Sequence, residues 1–365
     1  MELAEKAEAL ADGGRWDLSM DGIFMRNALG DVVSCSYGNC RMRLFKTLMS
    51  NSCRLDCKYC QNSAYRRQPK LSYEPAELAR VFMHFYARNM VDGLFLSSAV
   101  CGDPDSEMGR MLEAVRLLRE SYRFNGYVHF KILPGSSKEL VRQACYYASR
   151  VSVNIEAPGG NRLSELTTGK DFELDLLRRQ SWIARMKPAG GQTTQMVVGA
   201  GDETDQEILE TADFEYRRMN VSRVYYSRFV PVEGTPLEGM RMAPPERERR
   251  LYNADYLMRF YGITLSEIEG IMEDGNLPAG DPKARLALKC FDSAVDVNSA
   301  GYDELVRIPG IGPGSAGRII ALRERGLRVK CGRDLRSIGV ALKRAEPFII
   351  IDGGRQGRIQ GYRRL

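Results

Sequence analysis

The sequence predicts an α/β fold, a partial (β/α)6 TIM-like barrel followed by a small all-α domain. Three observations carry this. Between Leu44 and Phe229 six short apolar runs alternate with longer amphipathic ones, the pattern of a parallel sheet with helices outside it. A turn-rich segment, Glu273–Pro282 (EDGNLPAGDP), follows. Beyond it, short helical periodicities flank a glycine-rich PGIGPG and no strand alternation is visible.

Leu44–Met49, Gly93–Ser98, Tyr127–Leu133, Val151–Glu156, Thr194–Gly199 and Arg223–Val230 are the apolar runs, as expected of strands buried on both faces. Pro75–Asn89, Ser106–Tyr122, Ser136–Ser149, Phe172–Lys187 and Glu203–Met219 have helical periodicity. Strand starts recur roughly every 24 to 50 residues, room for one βα unit each, and reactive groups should gather at the C-terminal strand ends. Glu246–Tyr261 reads as a further helix, opened by Pro244-Pro245 and stopped by Gly262. Ala300–Ile308, Gly314–Arg325 and Leu335–Ala345 are helical beyond the turn-rich segment. The expected organisation is an N-terminal extension over 1–43, the barrel with trailing helices over 44–272 and a linker over 273–290. A helical domain over 291–352 and a flexible basic tail over 353–365 (GGRQGRIQGYRRL) complete it.

Composition narrows the function classes. The chain has 365 residues, 44% hydrophobic and 27% charged, a globular composition that at one domain per ~150 residues suggests two domains. No run of eighteen apolar residues exists, so no membrane span is expected. The polar, acidic start MELAEKAEALADGGRW is unlike a secretory signal, and a cytoplasmic location is expected. The net charge of +6 is unevenly placed. Phe291–Leu365 holds 14 Lys and Arg against 8 Asp and Glu, while the first 290 residues hold 39 of each. An anionic partner for the C-terminal part, nucleic acid first, or a solvated basic surface explains that asymmetry.

Nine cysteines without an export signal are not a disulfide framework. Five of them, Cys35, Cys40, Cys53, Cys57 and Cys60, lie within 26 residues. Cys53-Arg-Leu-Asp-Cys57-Lys-Tyr-Cys60 directly follows the first predicted strand. Three thiolates so spaced can take three corners of an iron–sulfur cube and leave the fourth iron open. A structural zinc site needs a fourth ligand, which Cys35 or Cys40 could supply, and that reading stays open on spacing alone. The only histidines, His84 and His129, fall inside predicted barrel elements.

CxxxCxxC with an aromatic before its last cysteine, after the first strand of a βα barrel, resembles the signature of radical S-adenosylmethionine (SAM) enzymes. Further segments resemble one subfamily: LFKTLMSNSCRLDCKYCQN, HFYARNMVDGLFLSSAV, RVSVNIEAP, GQTTQMVVGAGDETDQEIL, RVYYSRFVPVEGTPLE and RRLYNADYLMRFYGI. This is the group described as DNA modification or repair radical SAM proteins with a C-terminal helix–hairpin–helix, and the likeness runs from Trp16 to about Asp352. The resemblance implies that Cys53, Cys57 and Cys60 ligate a 4Fe–4S cluster whose open iron is chelated by S-adenosylmethionine. It also implies that Tyr59 packs near the adenine and that Ser97-Ser98 stand where many relatives carry Gly-Gly-Glu against the methionyl amino group. A serine there lacks the carboxylate's charge. Lys131 would meet the methionyl carboxylate. Asn154 and Glu156, two residues apart on one strand face, would bond the ribose. Gln195, Val197 and Gly199 would edge the adenine. The implied chemistry is reductive cleavage of the sulfonium to a 5′-deoxyadenosyl radical that abstracts hydrogen, with flavodoxin or ferredoxin as electron donor.

Cys101, three residues beyond Ser98, is a candidate hydrogen donor to a product radical, as in the related spore photoproduct lyases, or simply a small hydrophobe. Cys35 and Cys40 have no visible companion pair for a second metal. Tyr225-Tyr226 could line the substrate pocket or divide between core and surface. VDVNSAGYDELVRIPGIGPGSAGRIIALRERG resembles a helix–hairpin–helix of bacterial DNA-uptake receptors. In that resemblance Gly310, Ile311, Gly312 and Gly314 would approach a phosphate, with Arg318 and Arg323 adding charge. Arg325, Arg328 and Lys330 are further candidates. KCGRDLRSIGVALKRAEPFII looks like a second repeat without a full GxG hairpin. The expected function is radical modification of a base in DNA, of isomerase or lyase type. The alternatives are DNA repair, RNA modification and a non-catalytic iron–sulfur DNA-binding protein.

Overall fold

The apolar runs pair side by side in the order in which they occur along the chain. The computed structural model describes residues 3–14, 22–27, 30–37 and 40–351, with side chains described over 5–14 and 42–351. One sheet holds β1 (Gly22–Asn27), β2 (Gly30–Tyr37), β3 (Cys40–Leu48), β4 (Gly93–Ser97), β5 (Tyr127–Lys131), β6 (Arg150–Ser152), β7 (Gln192–Val198) and β8 (Val221–Arg228), in that order. β3 through β8 are all parallel neighbours, the six-stranded half-barrel that the alternation predicts. β1 and β2 extend it by antiparallel pairing onto β3, and neither is among the predicted strands.

Helices cover the sheet between the strands: α1 (Leu3–Gly13), α2 (Pro75–Ala87), α3 (Pro104–Arg116), α4 (Lys138–Tyr147), α5 (Gly160–Leu166), α6 (Arg178–Met186) and α7 (Asp205–Arg217). α3 shows why a helix starts where it does. Asp103 accepts a bond from the Ser106 amide at 3.0 Å, and Pro104 occupies the first turn, where its missing N–H costs nothing. Predicted Phe172–Lys187 opens as a wide turn over Phe172–Leu177 before α6 begins. Every residue of β4 is buried, and Leu94, Leu96, Val128, Phe130 and Val151 join one continuous core with α2, α3 and α4.

The pleat turns a second set of residues inward. Lys46, Phe95 and His129 are register partners across β3, β4 and β5. His129 is buried, its Nε2 3.0 Å from the Ser152 hydroxyl and its ring 4.5 Å from Phe95, while His84 meets Arg88 on the exposed side of α2. Two residues further along each strand, at the C-terminal ends, stand Leu48, Ser97 and Lys131. β6 is shorter than predicted. It ends at Ser152, and Asn154 and Glu156 lie beyond it in a stretch where Glu156 takes φ +67°.

The chain divides into two compact units, Met1–Glu203 with Thr211–Pro245, and Thr204–Glu210 with Glu246–Leu365. The second contains α8 (Pro245–Tyr261), α9 (Leu265–Glu269), α10 (Pro282–Cys290), α11 (Tyr302–Arg307), α12 (Pro313–Glu324), α13 (Gly332–Ser337) and α14 (Leu342–Ala345). Residues 273–290, read from sequence as a linker, hold a tight turn at Asp274-Gly275 and then α10. β9 (Val295–Asp296) and β10 (Ile349–Ile350) pair in parallel and clasp the two ends of the module around Val297, Leu305, Ile308, Ile319, Leu335 and Phe348. Leu335–Ala345 is not one helix. Gly339 takes φ +86°, a conformation that ends α13 and turns the chain into α14. The predicted tail over 353–365 lies outside the described residues. Among the described residues no helix is long and apolar enough to cross a membrane.

Candidate active site

The loop after β3 is held to its neighbour strand by backbone bonds, which fix where the three cysteines sit. The Met49 amide donates to Ser97 O at 2.8 Å and the Arg54 amide to Val100 O at 2.8 Å. Ala64 closes the loop on Leu55 at 2.9 Å. Cys57 is buried, and Cys53 and Cys60 are half-buried. The Leu55 amide donates to Cys53 Sγ and the Asn62 amide to Cys60 Sγ, each at 3.4 Å. Burial nevertheless dominates and pushes the Cys60 thiol up to about 12, with Cys53 displaced the same way. Binding a metal centre through these thiols would therefore release protons.

Asp56, between the first two cysteines, pins the loop to a distant segment. Its Oδ1 accepts from the Thr167 hydroxyl at 2.5 Å and the Gly169 amide at 3.0 Å, and its Oδ2 from the Thr168 hydroxyl at 2.6 Å. These bonds outweigh desolvation and hold the carboxyl well below the usual carboxylate range. Thr167 Oγ1 also receives the Cys57 thiol at 3.7 Å. Lys58 adds to the clasp through its amide on Leu166 O and its ammonium on Glu165 O. On the other side of the loop, Gln61 and Asn62 donate to the last carbonyls of α1, Asp12 O and Gly13 O.

The clasp delivers Lys170 to the site, a residue the sequence reading does not include. Its ammonium lies 3.1 Å from Glu156 Oε1, with both side chains at most 10% exposed. The Glu156 carboxylate keeps Lys170 protonated against its burial. Nothing in the spacing of Thr167-Thr168-Gly169-Lys170 points to the cysteines, because their proximity arises from the Asp56 bonds across more than a hundred residues.

One cavity, enclosing about 1000 Å³ of open space, collects most of the expected residues. It is lined by Cys53, Cys57 and Cys60, and by Tyr59, Ser97, Ser98, Lys131, Asn154, Glu156, Gln195 and Val197. Tyr59 is enclosed, and burial with the nearby Glu156 charge drives its hydroxyl strongly toward the neutral form. Glu156 reaches the lining because its backbone bridges Met196, with the Val197 amide on Glu156 O at 2.7 Å. Ser98 lines the cavity but its hydroxyl is engaged, donating to Glu107 Oε1 at 2.6 Å. Glu107 is itself buried and ion-paired with Arg110 at 3.1 Å, so a carboxylate stands one residue behind the serine pair. Gly199 is not in the lining. It takes φ +85° and gives its amide to Glu203. Cys101 is exposed next to the lining residue Val100, its Sγ 3.4 Å from the Ser52 hydroxyl. Cys35 and Cys40 lie on β2 and β3, with side chains outside the described residues. Tyr226 is wholly buried and Tyr225 is only partly so.

In the second unit Gly310 takes φ +84° at the tip between α11 and α12, where a Cβ would stand 2.4 Å from Ala341 O. Ile311 is buried in the module's core, and no side chain caps the start of α12 at Gly312. Gly314 is exposed in its first turn. Arg318 Nε donates to Ile338 O at 2.8 Å and its side chain remains exposed. Arg323 is turned back onto Ser299 O and Ala300 O, which ties α12 to the start of α11.

A profile of the Radical SAM superfamily matches residues 47–214. Residues 47–214 form a radical SAM domain. A helix-hairpin-helix motif profile matches residues 292–339. The chain is 25% identical to biotin synthase of Aquifex aeolicus (strain VF5) over 258 residues, covering 62% of this chain and 72% of that one. It is 26% identical to biotin synthase of Persephonella marina (strain DSM 14350 / EX-H1) over 142 residues, 39% and 40% of the two chains. Among solved structures it resembles HydG, a maturase of the [FeFe]-hydrogenase, at a TM-score of 0.48 and 14% identity over 59% of this chain and 49% of HydG. It also resembles methylornithine synthase (PylB) at 0.46 and 13% over 92% and 91%. The chain thus spans about half the length of the maturase.

Radical SAM enzymes use a 4Fe–4S cluster and S-adenosylmethionine. The lining fits that pair of groups. Cys53, Cys57 and Cys60 bring three soft thiol donors to the cavity. The same lining carries buried Ser97, Asn154, Glu156 and Gln195 as polar groups for an amino acid and a ribose, with Lys131 as a cation. Outer groups that orient ligands are worth about 10- to 100-fold in affinity or activity. Asp56→Ala should therefore lower iron and sulfide content after anaerobic reconstitution by about tenfold or more, with Asp56→Asn intermediate. Full cluster content in Asp56→Ala, read by absorbance and iron assay, would show that the clasp is not needed.

Proposed function

We propose that this radical SAM enzyme modifies a base, or a substituent on a base, in DNA. The reading extends to rearrangement of the side group of a hypermodified pyrimidine. The observation that supports it most is the presence, in one chain, of a cysteine-lined cavity within the radical SAM domain and a hairpin matching the helix-hairpin-helix motif.

The proposed roles follow from the lining. Cys53, Cys57 and Cys60 hold the cluster, and Asp56 keeps their loop against residues 167–169. Lys131 meets the methionyl carboxylate and Ser97 the amino group. Asn154 bonds the ribose, with Glu156 held in place by Lys170. Tyr59, Gln195 and Val197 enclose the adenine and exclude water from it. When bound and reduced by a donor such as flavodoxin or ferredoxin, the cofactor pair supplies a 5′-deoxyadenosyl radical able to take hydrogen from an unactivated carbon. Cys101, outside the lining but beside it, is the candidate for returning a hydrogen atom. The hairpin holds DNA through its phosphates, which gives position without reading sequence.

The test is direct. DNA incubated anaerobically with reconstituted enzyme, S-adenosylmethionine and reductant is digested to nucleosides, then resolved by chromatography and mass spectrometry. A rearranged base keeps its mass, so retention time is the expected signature. Unaltered DNA nucleosides, with an altered nucleoside from RNA incubated in the same way, would reassign the substrate.

A further inference from the structure

The second unit contains a cavity that shares the hairpin turn and Arg318 with the expected phosphate contacts and adds aromatic side chains to them. It is bounded by α8, α10 and the two turns at Gly310–Gly312 and Gly339–Ala341, and encloses about 1300 Å³ including its mouth. Tyr256 and Tyr261 of α8 form one wall, with ring centroids 5.7 Å apart. Tyr261 also lies against the hairpin, its hydroxyl 3.1 Å from where a Gly312 Cβ would be. Phe260 continues the aromatic surface outside the cavity, 4.7 Å from Tyr256. Tyr256 is 50% exposed and Phe260 52% exposed, so adjoining aromatic faces on one helix are left to solvent. Arg259 packs over the Phe260 ring at 4.8 Å.

Cations line the same cavity. Lys283 is buried, stacks over Tyr261 at 4.4 Å and donates to Ile311 O at 2.5 Å. Arg344 and Arg318 line the same space, and the one acid there, Asp281, is paired with Arg344. Burial and the Arg344 charge press the Lys283 ammonium down to about 7, so an anion entering the cavity would stabilise its charged form. Cations beside π-faces, in a concave site, match the chemistry of a nucleotide whose base is unpaired: phosphate to the cations, base to the tyrosines. A duplex hides its base faces and cannot make the second contact.

We propose that this cavity binds an unpaired nucleotide of single-stranded nucleic acid, with Tyr256 as the stacking platform. The inference rests on the nucleic-acid substrate read above and adds that the second unit takes strand-separated or extruded nucleotides as well as duplex backbone.

The experiment is fluorescence anisotropy on the full-length protein with labelled oligonucleotides of about 20 nucleotides, as single-stranded DNA, the same sequence in RNA, and matched DNA duplex. Tyr256→Ala is expected to weaken single-strand binding by about 5- to 100-fold, since base–aromatic stacking is lost. Tyr256→Trp should restore it, and duplex binding should stay within about twofold because its phosphates do not meet the ring. The DNA and RNA arms show which strand the site prefers. Tyr256 is half exposed, and thermal unfolding of both variants checks that the fold is intact. Unchanged single-strand affinity in Tyr256→Ala, or an equal loss for duplex that Trp does not restore, overturns the proposal. Native protein that binds duplex but no single strand defeats this inference and leaves the DNA reading standing. Binding of no oligonucleotide defeats both.

Discussion

Replacing Cys57 by alanine should abolish release of 5′-deoxyadenosine from S-adenosylmethionine in the reconstituted, dithionite-reduced protein. Cys57 is the buried member of the three thiols, and its Sγ meets Thr167, which Asp56 fixes in turn. Alanine removes one of the three donors, and of the other cysteines whose side chains are described, Cys101, Cys145, Cys290 and Cys331, none lines the cavity. The loss should exceed the roughly hundredfold that an outer-shell change produces. Cys101→Ala, at an exposed position outside the lining, should leave cofactor cleavage intact and affect at most the fate of the product. Release at the native rate by Cys57→Ala would remove these three cysteines from the assignment.

Gly310→Ala separates the two activities from the other end. Gly310 sits at φ +84°, which costs an L-residue about 1–2 kcal/mol, and an added Cβ would press on Ala341 O at 2.4 Å. Neither backbone can yield without parting the two turns, since the Ala341 amide donates to Gly310 O at 2.9 Å. Duplex DNA affinity should fall at least about tenfold, the equivalent of 1.4 kcal/mol, while uncoupled cofactor cleavage is unchanged. Anisotropy titrations at two salt concentrations measure it. A native affinity and a native salt slope in this variant would show that the hairpin does not hold DNA.

The parts of this molecule that are legible in sequence are those with local signals. Six apolar runs separated by amphipathic stretches are a repeated local pattern, and the parallel half-barrel follows from them. The cysteine spacing, the aromatic at Tyr59 and the glycines of PGIGPG are equally local. β1 and β2 lacked such contrast, although Gly38-Asn39 between the paired residues Tyr37 and Cys40 is a hairpin signal. Lys170 was invisible for a different reason. It reaches the cavity only because Asp56 gathers Thr167, Thr168 and Gly169, and no periodicity records a side-chain clasp across the barrel mouth. Glu107 is similar: a helix residue whose position behind Ser98 depends on how α3 packs. Glu156 lines the cavity by other means than the strand alternation from which its face was read, because it lies beyond β6 in a left-handed conformation. Leu335–Ala345 misleads because its apolar spacing fits a helix and a single glycine overrides it.

In the proposed reaction hydrogen is taken from DNA. DNA synthesised from deuterated nucleotides, incubated with the enzyme, S-adenosylmethionine and a reductant, should yield 5′-deoxyadenosine that carries deuterium by mass spectrometry. The enrichment should vanish with unlabelled DNA and with Cys57→Ala. Abundant 5′-deoxyadenosine that stays free of deuterium, formed at one rate with or without any DNA tested, would contradict it.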